Sequence, residues 1–268
     1  MKNDSQQEAN QAAAIKEEVK EKYAEIAKGN LDAIKTNSKS CSCHSEGKIA
    51  DLFPHYDSED KAAIPDGADL GLGCGTPAAF ADIEKGMTVL DLGSGTGIDC
   101  FVASRRVGQN GKVIGIDMTE EMIAKANENK RKVNALNIEF RLGEIESMPV
   151  DTGTVDRVIS NCVLNLVPDK NKAFSEIFRV LKPGGRFTVS DIVTDGPVTD
   201  EERRDASLWA GCIAGALDQK DYLAVITRAG FSDVRVISLK KHAYRFASGA
   251  PLYSMTVTGT KSGDFLNK

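Results

Sequence analysis

The chain has 268 residues, 41% of them hydrophobic and 27% charged, with a net charge of −5 and a pI near 5.4. This is the make-up of a globular enzyme with one large core and an appendage, and it lacks the basic field that nucleic acid or anionic lipid requires. The N-terminus "MKNDSQQEANQAAAIKEEVKEKY" has no apolar secretion core and no stretch approaches a membrane span, so the expectation is a cytoplasmic protein with no membrane or nucleic-acid partner and a small uncharged or cationic ligand.

In chain order, residues 9–28 carry Ile15, Val19, Tyr23 and Ile26 at spacings of four, four and three, which predicts an amphipathic helix ended by Gly29-Asn30 and packed on the main domain. From Leu31 to Gly75 the chain is polar and irregular, rich in Ser, Asp, Gly and Pro, and it contains "SCSCHSEG"; a connection this long predicts a functional loop or lid. From Met87 strands and helices alternate: "TVLDLG", a helix, "KVIGID", a helix from Thr119, "IEFRLG", "VDRVIS", a helix over Ala173, Phe174, Ile177 and Leu181, then "RFTVSD". Such alternation predicts an α/β fold with a mostly parallel sheet covered on both faces. The breakers in "LKPGG" stop the helix before the fifth strand. Thr199 and Glu202 have capping-box spacing and predict a helix with an apolar face of Leu208, Trp209, Cys212, Ile213 and Ala216. After a helix ended by Gly230, "VRVIS" and "LYSMTVTGT" add two more strands, for seven in all.

"VLDLGSGTG" places Gly93, Gly95 and Gly97 between a strand and a helix, where backbone N–H groups converge and no Cβ blocks a ligand. A tight structural turn would look the same. What raises the loop above that reading is Asp117, which ends the second strand 20 residues after Gly97, where a carboxylate can accept from both ribose hydroxyls; loop and acid together favour an adenosine-type cofactor, with Asp91 inside the first strand end. The glycine spacing departs from the dinucleotide fingerprint, which disfavours a dehydrogenase.

This stretch resembles the class I S-adenosylmethionine-dependent methyltransferases over roughly residues 75–260. The resemblance implies a Rossmann-like fold with a seven-stranded, mostly parallel sheet and helices on both faces, joined to an N-terminal helix and lid. It implies S-adenosylmethionine as cofactor, with Asp91, Gly93, Ser94, Gly95 and Gly97 along its methionine and ribose side, Asp117 on the ribose and Met118 flanking the adenine. By the same likeness Glu144 takes the adenine amino group and Asn161 sits at the methionine end.

The six cysteines, in a chain with no secretion signal, read as thiols, metal ligands or catalytic groups rather than a disulfide framework. Cys100, among apolar residues in "GIDCFVA", reads as core. Cys74 in "LGLGCGTP" is flanked by glycines, Cys162 emerges after the fourth strand and Cys212 faces the core in "WAGCIAGAL". Each could be a small buried hydrophobe; together they could give three thiolates to a soft trigonal centre. "CSCH" could be a thiol-exchange segment, a metal site or a polar segment, and His55 and His242 read as surface residues.

The motifs "GLGCGTP", "LDLGSGTGIDCF", "IGIDMTEEMI", "FRLGEIESMPV", "VISNCVLNLVPDK", "RVLKPGGRFTVSDIV" and "GCIAGAL", in this order, resemble the arsenite methyltransferases. That resemblance implies methyl transfer from S-adenosylmethionine to trivalent arsenic bound by Cys74, Cys162 and Cys212, with Cys41 or Cys43 in thiol exchange. It also implies arsenite or its thiol conjugates as substrate and glutathione or thioredoxin as reductant. The implied division is an N-terminal helix and lid over 1–74, a methyltransferase domain over 75–260 and a tail over 261–268. A methyltransferase of a small organic metabolite and a thiol-rich arsenite or metal binder without catalysis are the competing readings; an intact cofactor crevice speaks against the second.

Overall fold

The computed structural model describes residues 2–30, 55–73, 75–205, 208–209, 212–246 and 248–263. Cys41, Cys43, His44 and Cys74, and with them most of the expected lid, lie outside the described residues. No helix among the described residues is long and apolar enough to cross a membrane.

Seven strands form one sheet in the order β3-β2-β1-β4-β5-β7-β6. They are β1 Thr88–Leu92, β2 Lys112–Asp117, β3 Ile138–Leu142, β4 Val155–Asn161, β5 Leu181–Thr194, β6 Ser232–Arg245 and β7 Pro251–Thr260. The first five pair in parallel, and β7 runs antiparallel between β5 and β6. The order reverses between β1 and β4, so the connections leaving their C-terminal ends part and open a crevice.

The helices are α1 Lys2–Ala27, α2 Ser58–Ala62, α3 Pro77–Phe80, α4 Ile98–Val107, α5 Glu120–Lys132, α6 Lys170–Val180, α7 Asp200–Arg204 and α8 Gln219–Arg228. One core packs Phe174, Ile177, Tyr222 and Phe231 against one sheet face, and a second packs Phe101, Val102 and Val107 against the other. This agrees with the two-sided burial expected of near-continuous apolar strands. A third cluster lies at the crevice end and joins Val19 of α1 to Cys162, Leu166, Cys212 and Ile213. α1 therefore packs on the main domain through the expected face, with Val19 and Ile26 buried, although it begins at Lys2 rather than near residue 9. α2 is tied to α4 because Asp60, fully buried, accepts from Arg105 at 2.6 Å and Arg106 at 2.5 Å.

One expected element differs. The Thr199–Glu202 capping box is present, but the helix it opens ends at Arg204; Leu208 and Trp209 are helical again, as expected, whereas Cys212 lies in a turn beyond them. Its backbone turns instead into the left-handed region with φ 60°. Asn165 decides the geometry: its side-chain amide donates to the carbonyls of Ile192, at 2.7 Å, and Cys212, at 3.1 Å. The following turn then lies directly on the Asn165 backbone, where a Cβ on Gly215 would stand 1.9 Å from the Asn165 carbonyl oxygen. Backbone cannot yield as a flexible side chain does. Gly215→Ala is therefore expected to destabilise the protein by about 3 kcal/mol, read as a lowered urea midpoint. A midpoint equal to that of the wild type would show that the turn has room to shift.

His242 is half-buried, with Nε2 2.7 Å from Ser254 Oγ across β6 and β7, so it is part of the sheet edge rather than a solvated surface histidine.

Candidate active site

The loop after β1 begins at Gly93, where φ is 62° and a Cβ would stand 2.5 Å from the Val163 methyls. It brings Ser94, Gly95 and Thr96 to the wall of the crevice and ends at Gly97, the N-cap of α4. Across it Asp117, the last residue of β2, accepts from Gly95 N at 3.0 Å and Thr119 N at 2.9 Å. These two bonds fix the carboxylate at the crevice while burial raises its pKa.

The deep end carries two more carboxylates. Asp91 is pushed well up by burial and then by the negative charge of Asp99. Asp99, raised by burial, accepts from the Tyr56 hydroxyl and, at 3.1 Å, from Asn161 Nδ2. Asn161 also clasps Gly75, donating to its carbonyl at 2.8 Å and accepting from its N–H at 3.1 Å. At the opposite end Met118, Glu144 and Glu146 line the same cavity. Lys16 of α1 pairs with both acids, at 2.7 Å from Glu144, which is half exposed, and also with the buried Glu146. Asp91, Gly93, Ser94, Gly95, Asp117, Met118, Glu144 and Asn161, expected from the sequence to meet one cofactor, thus border one cavity; Gly97, the N-cap of α4, is not among its lining residues.

Of the described sulfur residues, Cys162 lines the cavity and Cys212 is buried beside it. Cys162 follows β4, lines the cavity and has φ 61°, so both it and Cys212 adopt a backbone conformation rare outside glycine. Such conformations cluster at functional sites, where the surroundings hold them. Cys212 Sγ donates to the Cys162 carbonyl at 2.7 Å, and the Tyr23 hydroxyl of α1 lies 3.9 Å from the same sulfur. Cys162 is disulfide-bonded, its partner sulfur lying outside the described residues. Cys100 is core, as expected: it is fully buried, donates to Asp91 at 3.2 Å, and burial pushes its thiol pKa well up.

Sequence reasoning missed Lys16, Tyr23, Asp99, Glu146, Asn165, Lys170 and Asp191. Asp99, Glu146, Asn165, Lys170 and Asp191 stand inside quoted motifs and were open to notice; Lys16 and Tyr23 carry no local signal, because only packing brings α1 to the crevice. Lys170, buried beneath Trp209, has its pKa lowered to about 8 by burial, while burial raises Asp191, which accepts from the Tyr222 hydroxyl, to about 7.

A folded-state pKa above the unfolded value means that the folded protein keeps a proton the unfolded chain has released. Asp191 therefore costs stability progressively as pH rises from about 4 to about 7. Lys170 has the opposite sign, its cost being relieved between about 8 and 10.5. Asp191→Asn is expected to flatten the loss of stability between pH 5 and 7, measured by urea unfolding at several pH values. An unchanged slope would place the titration elsewhere.

The chain matches the family model described as a methyltransferase domain over residues 83–230. An arsenic(III) S-adenosylmethionine methyltransferase of known structure, from Chlamydomonas reinhardtii, superposes with a TM-score of 0.66 at 34% identity, covering 78% of this chain and 72% of that one. The chain belongs to the arsenite methyltransferase family. The arsenite methyltransferase of Halobacterium salinarum is 47% identical over 228 residues, 82% of this chain and 58% of that protein. That of Mus musculus is 34% identical over 237 residues, 85% of this chain and 60% of that protein. The chain thus spans less than two thirds of the length of these curated relatives.

The cavity suits the family's cofactor, S-adenosylmethionine, on three counts. Ser94 Oγ is buried on its wall with no hydrogen-bond partner among the described residues. Asp91 and Asp99 are desolvated and, at Asp91, repelled by like charge, which a cationic sulfonium or ammonium relieves. Gly95, with open space where its Cβ would be, leaves the wall unobstructed.

Proposed function

We propose that this member of the arsenite methyltransferase family transfers the methyl group of S-adenosylmethionine to trivalent arsenic held by Cys162, Cys212 and Cys74. One observation carries the reading. Cys162, on the wall of the cavity formed by the glycine loop and Asp117, meets Cys212, 50 residues away in sequence, through the 2.7 Å hydrogen bond. Gly73 and Gly75 both lie against Asn161, the residue before Cys162, which supports Cys74 as the third sulfur.

Asp117 would take the ribose hydroxyls, Glu144 the adenine amine and Met118 the adenine face, with Asp91, Asp99 and Asn161 toward the methionine end. When bound there, S-adenosylmethionine supplies an electrophilic sulfonium methyl. The cysteines hold the arsenic as soft thiolate ligands and leave its lone pair directed away from them, so no base is needed at arsenic. The contribution of the chain is alignment, the proximity effect of holding both partners in one cavity.

The Cys162 disulfide must open before that sulfur can bind arsenic, and methylation leaves arsenic or a cysteine pair to be reduced. Glutathione or thioredoxin would supply the electrons, with Cys41 or Cys43 as the exchanging thiol, and this need fits a reducing cytoplasmic setting. Incubation with arsenite, S-adenosylmethionine and a thiol, followed by arsenic speciation, is expected to yield methylated arsenicals. Their absence, with cofactor binding intact, would transfer the reading to an organic substrate.

A further inference from the structure

Lys16, Val19 and Tyr23 line the crevice from one face of α1, at the three- and four-residue spacings that align side chains along a helix. Lys16 stands at the end where Glu144 and Glu146 lie, and Tyr23, about 10 Å further along the axis, stands at Cys212. Tyr23, like Met118 and Trp209, packs against the cluster that holds Cys162 and Cys212, and it lines the cavity together with Cys162.

The hydrogen bonds of the Cys212 sulfur must change when arsenic binds. As a thiol it donates to the Cys162 carbonyl at 2.7 Å. Each arsenic–sulfur bond replaces an arsenic–hydroxyl bond of arsenite, and the thiol proton leaves with that hydroxyl as water. The sulfur is then an acceptor only, facing a carbonyl oxygen that is also an acceptor. The Tyr23 hydroxyl, 3.9 Å away, is a donor on the cavity side.

We propose that Tyr23 is a positioning residue for the methylation step: its hydroxyl donates to the sulfur of arsenic-bound Cys212 and orients that sulfur, and thereby the arsenic, relative to the cofactor cavity. This rests on Cys212 being an arsenic ligand. α1 then forms part of the catalytic architecture rather than an appendage. A phenol suits the position because its apolar body fills the wall while its polar tip reaches the sulfur.

Trp209 is the single tryptophan of the chain and lies in the same cluster, so its fluorescence reports on arsenite binding. Tyr23→Phe removes the hydroxyl and keeps the ring. With reduced full-length protein, we expect this variant to bind arsenite about five-fold more weakly, the effect of losing one net hydrogen bond. S-adenosylhomocysteine affinity, by calorimetry, should stay within about two-fold, and in turnover KM should rise for arsenite and not for S-adenosylmethionine. Unchanged arsenite affinity overturns the proposal, and so does an equal loss of nucleoside affinity, which would make Tyr23 a wall only. Should Cys212→Ser bind arsenite as tightly as wild type, Cys212 is no arsenic ligand, and the proposal falls with that assignment. If wild type and Cys212→Ser differ while wild type and Tyr23→Phe do not, only the role of Tyr23 is lost.

Discussion

Replacing Cys212 by serine is expected to lower arsenite methylation at least about 100-fold, the scale on which a misplaced reacting atom is felt, while cofactor affinity holds within about two-fold. A hydroxyl nearly matches the thiol in size and can still donate to the Cys162 carbonyl, so the left-handed turn at Cys212 and its bond from Asn165 should survive. What it cannot provide is a soft anionic ligand for arsenic near neutral pH. Cys100→Ser is the control. Cys100 is fully buried, with its sulfur on Asp91 and in a different core cluster from Cys162, so its serine variant should lose about 1 kcal/mol of stability and keep turning over arsenite. Arsenic speciation alongside thermal melting checks both. An active Cys212→Ser protein, or an inactive but fully stable Cys100→Ser protein, would reverse this division of the cysteines.

Asp117→Ala should weaken S-adenosylmethionine about 100-fold, from the loss of two hydrogen bonds to a charged acceptor at about 1.5 kcal/mol each. The fold should persist, because the side chain ends β2 at the crevice and the two N–H groups it frees, on Gly95 and Thr119, border the cavity. Asp117→Asn, which keeps one acceptor oxygen, should fall between alanine and wild type. Calorimetry without arsenic measures this independently of the thiol chemistry. Equal affinity in all three proteins would remove Asp117 from the ribose site and leave the glycine loop as a structural turn.

The sequence by itself determined the parallel part of the sheet. Apolar runs that alternate with helices from Met87 onward imply parallel pairing with two covered faces for β1 to β5, whereas the antiparallel place of β7 between β5 and β6 is a matter of the fold. The lining of the crevice was legible for a related reason: in such sheets a ligand crevice lies at strand C-termini, and Gly93 to Gly97, Asp117, Glu144 and Asn161 stand at or just after the ends of the first four strands. Only the tertiary structure decided how the sulfur cluster is held. The apolar spacing around Cys212 suits a helix, but Asn165, 47 residues away, takes up its carbonyl and turns the backbone left-handed, a long-range contact that no local pattern encodes. α1 shows the same limit: its periodicity announced a buried face, and it took packing over the crevice to place Lys16 on Glu144 and Glu146 and Tyr23 beside Cys212. Periodicity fixes which face of an element is covered, whereas the identity of the covering surface depends on the packing of the whole chain.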